Sequence, residues 1–232
     1  MPWQRSPGRL FRAALLVAGL ILAIASAETI GYRLERTSPL SRFSESQIGI
    51  LEKLNHADPA HLSRLREIVV PDRWDSDELL YSPMPHELHG FDSESKAIVI
   101  DLAGQVFGAY EYGKLVRWGP VSSGRRSRQT PAGSYHLNWR ERRRVSSVDP
   151  TWIMPWYFNF DDVLGLGLHE YSLPGRPASH GCVRLLLCDA RWIFSWGEPG
   201  TPVLVYGRYD FSARQPWLNP EWWVQGVSVP LD

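Results

Sequence analysis

A cysteine with two histidines before it is the most reactive combination of residues in this chain. Cys182 follows Gly181 and precedes an apolar stretch, and both His180 and His169 lie upstream of it. An imidazole close to a thiol can take its proton and generate the thiolate, which is the nucleophilic form. The pattern therefore predicts a thiol nucleophile that is activated by a histidine.

Residues on either side of the cysteine suit the same chemistry. Gly181 allows the backbone to approach a substrate closely, and peptide N–H groups around Cys182 can stabilise a tetrahedral oxyanion. Arg184 lies two residues after Cys182, so in a strand both side chains point to the same side. We expect Arg184 to hold a substrate carboxylate or to help keep the thiolate charged.

Two other uses of the cysteines remain open at this point. A disulfide between Cys182 and Cys188, which are the only cysteines, would remove the nucleophile. A zinc site built from His169, His180 and Cys182 lacks a fourth ligand with recognisable spacing, so no metal is expected. Cys188 lies where a short helix is predicted to begin, and we expect it to pack or cap there.

The composition bounds the class of protein without naming a function. The 232 residues suit one domain or a domain with an appendage. Lys+Arg and Asp+Glu are 25 each, so net charge gives no support for nucleic-acid binding. A hydrophobic content of 44% excludes general disorder, and two cysteines are too few for a disulfide scaffold.

The first 27 residues have the pattern of an export signal. They contain arginines and no acidic residue, then an apolar run from Ala13 to Ala25 and an Ala-Ser-Ala sequence that ends at Ala27. This order favours a signal peptide cleaved after Ala27 over a retained membrane anchor. We expect an exported protein of the periplasm or cell envelope, with membrane contact only if the segment is retained.

The next segment, residues 28–95, is predicted to be a helical N-terminal extension with a connector. Apolar residues share one helical face between Ser44 and Leu54. Asp58 followed by Pro59 is typical of a helix start, and apolar residues then recur at helical spacing until Pro71. Neither helix carries residues that suggest chemistry.

The pattern changes at residue 96, where short strands with Gly and Pro punctuation begin. Residues 96–207 are predicted to form a mainly β catalytic domain, an antiparallel sandwich or barrel. A short helix is expected after Cys182, from Asp189 to Trp196. Residues 208–232 are expected to be a C-terminal tail packed on this domain.

Three groups of side chains allow more than one interpretation. Arg125, Arg126 and Arg128 either grip acidic groups of a substrate or belong to a solvated loop. A second arginine run is expected at an exposed hairpin tip, and a series of aromatic residues either fills the β core or covers the cleft. The arginines of the run are Arg140, Arg142, Arg143 and Arg144, and the aromatic residues are Trp152, Trp156, Tyr157, Phe158 and Phe160.

The segment Ser179–Arg184 resembles the active site of the L,D-transpeptidases, whose catalytic unit is the YkuD-type domain. The resemblance extends in family order over about residues 96–207, so it does not depend on the Ser-His-Gly-Cys motif alone. The other matching segments are Ile98–Asp101, Tyr112–Val116, Ser123-Gly124, Thr130–Tyr135, Gly167–His169 and Gly200–Val203.

This resemblance implies a role for each residue of the motif. It implies a YkuD-like, mainly β fold in which Cys182 is the nucleophile and His169 is the general acid and base. His180 and Gly181 then shape the oxyanion region, and Arg184 and Ser179 support the site and bind substrate. No cofactor is implied.

The resemblance also implies the reaction and the partners. Members of the family attack the carbonyl at the L-centre of diaminopimelate in a peptidoglycan stem tetrapeptide, expel the terminal D-Ala and form an acyl-thioester. An amine of a neighbouring stem then gives a 3→3 cross-link, while some relatives use a lipoprotein lysine or water. A hydrolase and a non-catalytic peptidoglycan-binding protein therefore remain alternatives.

The sequence departs from the family pattern in two places. Glu170 follows His169 where relatives commonly have glycine, and the loop from His169 to Ser179 is shorter than in the family. Both differences lie where the loop would border the cleft. They leave the nucleophile and the base in place and bear on the choice of acceptor.

Overall fold

The computed structural model describes residues 29–146 and 148–230. The predicted export segment, residues 1–27, lies outside the described residues. Within them, no helix is both long and apolar enough to cross a membrane. The described chain contains a curled nine-stranded sheet, a separate two-stranded sheet and four α-helices.

The nine-stranded sheet forms the body of the protein. Its strands run in the order β6-β11-β3-β4-β5-β10-β9-β8-β7. The predicted mainly β class is confirmed. The strands are β3 (Ala97–Asp101), β4 (Val106–Glu111), β5 (Lys114–Ser122), β6 (Gly133–His136), β7 (Arg140–Val145), β8 (Ile153–Asp161), β9 (Leu166–Glu170), β10 (Val183–Leu185) and β11 (Pro202–Tyr206).

The sheet is not purely antiparallel as the short strands had predicted. The pairs β10–β9 and β11–β3 are parallel. Parallel neighbours need a crossover connection, and residues 171–182 supply it between β9 and β10. Helix α3 (Leu187–Trp196) lies within the connection from β10 to β11, and it packs on β8 and β9. The short helix predicted after Cys182 is therefore present and covers one end of the core.

Strand β3 shows why the sheet has two buried faces. Ile98 and Ile100 belong to a core cluster that also receives Phe158, Leu168 and residues of α3. Val99, pointing the other way, belongs to a second cluster. Alternate residues of a strand point to opposite faces, so the continuous apolar run in β3 is buried on both sides.

The second cluster is closed by segments from both ends of the described chain. On the outer face of β3–β5, Trp118 packs with Ile50 and Leu54 from the N-terminal extension. Trp217 and Trp223, from the C-terminal segment, are buried in the same cluster. Helix α4 (Pro220–Gln225) carries Trp223. The outer face of the sheet is therefore covered by residues that flank residues 96–207 in sequence.

The N-terminal extension contains helices and a two-stranded antiparallel sheet. Helix α1 (Glu45–Leu54) begins as predicted at Ser44, which forms a capping box with Gln47. Asp58 caps α2 (Pro59–Leu62) through the backbone N–H of His61. The rest of the extension differs from the helical prediction.

The predicted continuation of α2 to Pro71 is wrong. Residues Glu67–Pro71 form β2, which pairs antiparallel with β1 (Tyr32–Arg36). Ile68 and Val70 pack in a third cluster, and Val69 points to the second. Three consecutive β-branched residues favour a strand when each face finds a buried partner, and this tertiary packing overrides the helical spacing.

The structure also corrects the placement of the second arginine run. Residues Arg140–Val145 form the edge strand β7, paired with β8, so these arginines do not lie at a hairpin tip. Arg140, Arg142 and Arg143 are exposed, as edge-strand charges commonly are. Arg144 is less exposed than its neighbours and turns toward the site described below.

Trp217 provides a test of the C-terminal segment's contribution to stability. It is 1% exposed and stacks on His56, with ring centroids 4.0 Å apart. We expect Trp217→Ala to lower the free energy of unfolding by about 3–5 kcal/mol because it opens a large cavity. Urea unfolding of the whole chain measures this loss. Val224→Ala, at a position 53% exposed on α4, is the control and should change stability by less than about 0.5 kcal/mol.

Candidate active site

The predicted catalytic residues meet because β9 and β10 are parallel neighbours. Val183 pairs with Leu168, and Arg184 pairs with His169. Both Val183 and Leu168 are buried in the first core cluster, so Arg184 and His169 point to the opposite face. Cys182, one residue before Val183, points to the same face as Arg184.

A cavity of about 260 Å³ lies on this face of the sheet. Five of the six predicted site residues line it, and Gly181 is the exception. The five are His169, Ser179, His180, Cys182 and Arg184. The structure therefore brings together in one pocket residues that β9, a loop and β10 contribute separately.

His169 is held as a neutral imidazole with a defined tautomer. Its Nδ1 lies 2.8 Å from the backbone oxygen of Glu170, and a carbonyl only accepts, so Nδ1 carries the hydrogen. Burial lowers the pKa of His169 to about 4, and the Arg184 charge acts in the same direction. A neutral ring with a hydrogen on Nδ1 leaves Nε2 free to accept a proton.

Burial favours the protonated form of the Cys182 thiol. It raises the pKa of the thiol above its ordinary value, while the Gly167 N–H and the charges of Arg184 and Arg144 oppose that rise. The thiol lies 3.9 Å from the Gly165 carbonyl oxygen. Burial therefore favours the uncharged forms of both Cys182 and His169.

A network of hydrogen bonds fixes the turn that precedes Cys182. Ser179 Oγ donates to the Cys182 carbonyl and accepts from the Gly181 N–H at 3.0 Å. Thr130 Oγ1 donates to the Gly181 carbonyl at 2.7 Å and accepts from the Gly124 N–H at 2.9 Å. The Gly181 amide is thus already paired. Gly181 shapes the turn through its φ of 124°, in a region that side chains rarely adopt.

Arg184 places a positive charge in the pocket. Its guanidinium lies 4.5 Å from the ring centroid of Tyr171, and Nη1 donates to the Ser172 carbonyl at 3.4 Å. Among the described residues it has no carboxylate partner within salt-bridge distance. A cation that is not neutralised by the protein is suited to a substrate carboxylate.

The loop from His169 to Ser179 is tied to the N-terminal extension. Asp58 Oδ2 accepts from the Leu173 N–H at 2.8 Å, and the Asp58 N–H donates to the Leu173 carbonyl at 3.1 Å. The Gly175 N–H donates to the His56 carbonyl at 3.0 Å. These three hydrogen bonds join the loop to the N-terminal extension, which thereby supports one wall of the pocket. The sequence had indicated Asp58 only as a helix cap.

Two further residues line the pocket, Trp152, for which the sequence left this role open, and Arg144, which the sequence placed elsewhere. The Trp152 ring is tilted by 34° against His180 with ring centroids 4.4 Å apart, so this member of the aromatic series covers part of the cleft. Tyr157, Phe158 and Phe160 are buried, in agreement with the β-core interpretation. Arg144 also lines the pocket. The alternation of side chains along β7 and β8 was the signal available in the sequence. It does not reveal that β8 pairs with β9 and that β7 lies at the edge.

The alternatives for the cysteines have a structural answer within the described residues. Cys182 and Cys188 are both free, and Cys188 is exposed on α3. No group of three or more His, Cys, Asp or Glu side chains in the described part of the chain is arranged to hold a metal ion.

A mainly β domain with a cysteine and a neutral histidine on one sheet face is the architecture that these observations define. Residues 95–205 match the model of the YkuD family, described as the L,D-transpeptidase catalytic domain. The family match covers the sheet from β3 to β11 and the whole of the pocket.

Known relatives agree with this assignment. The chain is 28% identical over 137 residues to L,D-transpeptidase 1 of Mycobacterium tuberculosis, a match that covers 51% of this chain and 53% of the relative. It therefore spans about half the length of the curated relatives that it matches. A crystal structure of an L,D-transpeptidase from Xylanimonas cellulosilytica is similar with a TM-score of 0.52 and 28% identity, over 71% of this chain and 81% of that one.

The pKa of Cys182 predicts a distinct pH dependence of alkylation. Because burial raises the pKa of Cys182, we expect the thiol to be mostly protonated at neutral pH. We expect the rate of modification by iodoacetamide to rise with pH through 9 and beyond, measured by intact mass in a Cys188→Ser background. A rate that is already at its plateau at pH 7 would contradict this expectation.

Gly181 predicts a coupling between the turn and the thiol. A Cβ at this position would lie 2.9 Å from Leu166 Cδ2 and would hold a residue at a φ of 124°. We expect Gly181→Ala to cost about 1–3 kcal/mol and to change the alkylation rate of Cys182. Gly200→Ala is the matched control, since Gly200 also has positive φ but nothing within 4 Å of its Cβ.

The control should lose some stability through backbone strain, and it should alkylate Cys182 at the wild-type rate because Gly200 lies between α3 and β11 and not in the turn that precedes Cys182. Equal alkylation rates in the two variants would show that the geometry of Gly181 does not set the position of the thiol.

Proposed function

We propose that this protein is an exported L,D-transpeptidase that acts on peptidoglycan stem tetrapeptides through an acyl-enzyme on Cys182. The observation that carries this proposal is the pairing of β9 with β10, which places Cys182, His169 and Arg184 on one face of one pocket. The match of residues 95–205 to the model of the YkuD family supports the same reaction class.

The first half of the reaction forms the thioester. His169 Nε2 takes the thiol proton as Cys182 Sγ attacks the carbonyl at the L-centre of diaminopimelate. The tetrahedral intermediate collapses when the C–N bond to the terminal D-Ala breaks. The His169 imidazolium gives its proton to that amine, so D-Ala leaves and the acyl group remains on sulfur.

The second half transfers the acyl group. An acceptor amine loses a proton to His169 as it attacks the thioester, and the thiolate leaves and recovers that proton. The product is a 3→3 cross-link when the amine belongs to a neighbouring stem, or a protein attachment when it belongs to a lipoprotein lysine. Water in place of the amine would give hydrolysis.

The electrostatics of the pocket suit this sequence of steps. The pKa of His169, lowered to about 4, keeps the ring unprotonated at neutral pH so that it can act as the base. The charges of Arg184 and Arg144 favour the thiolate against burial. The same two cations lie where they can stabilise negative charge that develops during attack or bind a substrate carboxylate.

The proposed acyl-enzyme can be detected directly. Incubation of the chain with a disaccharide-tetrapeptide should add the disaccharide-tripeptide acyl mass to the protein and release D-Ala, both measured by mass spectrometry. Cys182→Ala should abolish both signals. His169→Gln should slow D-Ala release by about 10²–10⁴-fold, because the thiol loses its base.

Cys188→Ala is the matched control, since Cys188 is a second free thiol outside the pocket, and it should react as the wild type does. No adduct and no D-Ala release from the reduced wild type would contradict the enzymatic proposal. Chromatography of the products separates the remaining possibilities: dimers indicate transfer to a second stem, and tripeptides alone indicate hydrolysis.

A further inference from the structure

A second concave surface lies on the other side of the loop that leads to Cys182. We call it the arginine groove. It has a volume of about 470 Å³ and is lined by Arg125, Arg126, Arg176, Tyr209 and Phe211 together with smaller residues. An adjoining depression shares Arg126, Tyr209 and Phe211 with it and adds Arg208 and Asp210.

The groove carries a net positive charge, which the nearby carboxylate of Asp210 offsets only in part. Among the described residues, Arg125, Arg126 and Arg176 have no salt-bridge partner. Asp210 is the one carboxylate among the described lining residues, and its Oδ1 accepts from both the N–H and the hydroxyl of Ser212. The surface is therefore complementary to an anionic ligand.

The arginines lie on ordered backbone beside an aromatic wall. The Arg125 N–H donates to the Ser179 carbonyl at 3.0 Å, and the Arg128 N–H closes a turn on the Arg125 carbonyl at 2.8 Å. The Arg126 guanidinium lies 5.4 Å from the ring centroid of Phe211, which contacts Tyr209 edge-on at 4.9 Å. Guanidinium groups beside aromatic faces suit a ligand with both carboxylates and apolar carbon.

The groove and the catalytic pocket share one wall. Arg176 and Pro177 line the groove, and Ser179 and His180, just further along the same segment, line the pocket. The charge of Arg125 contributes to lowering the pKa of His180, which places that arginine within electrostatic reach of the pocket. A polymer that presents one peptide to Cys182 can therefore reach the groove with the next.

We propose that the arginine groove binds a second, carboxylate-bearing stem peptide of peptidoglycan while the first stem occupies the pocket of Cys182. This assignment rests on the function proposed above. Arginine side chains bind carboxylates in two-point geometry, and each stem peptide carries several carboxylates. Tyr209 and Phe211 lie beyond residues 95–205, so this chain adds the aromatic wall to the family domain.

Equilibrium binding to defined muropeptides tests the proposal. The protein is the whole chain with Cys182→Ala, which prevents turnover, and the probes are a single-stem disaccharide-tetrapeptide and a cross-linked dimer that carries two stems. We expect the dimer to bind about tenfold more tightly than the monomer. Arg126→Gln combined with Arg176→Gln should remove that gain and leave monomer binding unchanged, which also shows that the variant is folded.

Arg64→Gln combined with Arg66→Gln is the matched control. It removes the same charge from exposed arginines of the N-terminal extension that line neither the groove nor the pocket, and it should retain the tenfold gain. A dimer with amidated carboxylates should bind no more tightly than the monomer, and raised salt should weaken binding of the free-acid dimer.

Three results would overturn the proposal. They are a gain that persists in the Arg126/Arg176 variant, an amidated dimer that binds as tightly as the free acid, and a poly(ribitol phosphate) probe that displaces the dimer from the groove. The outcome is separate from that of the acyl-enzyme test. Arginine-dependent binding without a Cys182 adduct would refute the enzymatic function alone, and an adduct with arginine-independent dimer binding would refute the groove alone.

Discussion

Leu168 and Val183 lie opposite each other in neighbouring parallel strands, and both side chains are buried in the first core cluster. Burial of this pair fixes the register of β9 against β10 and forces His169 and Cys182 onto the other face. A slip by one residue would exchange the faces and would bury the histidine and arginine positions in the core. The catalytic geometry is therefore a consequence of apolar packing behind the sheet.

The electrostatic state of the pocket follows from the same burial. Removal from water favours the neutral forms of both His169 and Cys182, while Arg184 disfavours a proton on the imidazole and favours the thiolate. Because Nδ1 donates a hydrogen bond to the Glu170 carbonyl, Nε2 is the only atom of the ring that can accept a proton. The pocket thus contains an imidazole whose Nε2 is free and a thiol whose charged form Arg184 favours, as the proposed acyl transfer requires.

The segments outside the family match contribute to the site as well as to stability. Lys53 on α1 is buried and donates to the Trp118 carbonyl of β5, which ties the extension to the sheet. Asp58 pairs with the backbone of Leu173 and holds the loop that borders the cleft. The C-terminal segment covers the outer face of β3–β5 with Trp217 and then reaches the arginine groove with Tyr209. The N-terminal extension therefore supports a wall of the pocket, and the C-terminal segment contributes to the neighbouring groove.

The sequence by itself determined the mainly β class of residues 96–207 and indicated the residues of the candidate site. These predictions depend on local patterns, which can be recognised in the sequence alone. The patterns are the Ser-His-Gly-Cys motif, the ordered series of family segments and the apolar run in β3. Tertiary structure alone decided the rest. Residues Glu67–Pro71 form a strand because each face of Ile68-Val69-Val70 finds a buried partner. Arg144 and Trp152 point into the pocket because of the way their strands and loop pack. These outcomes depend on which elements meet across the sheet, and contact between residues distant in sequence is not encoded in the spacing of any one segment.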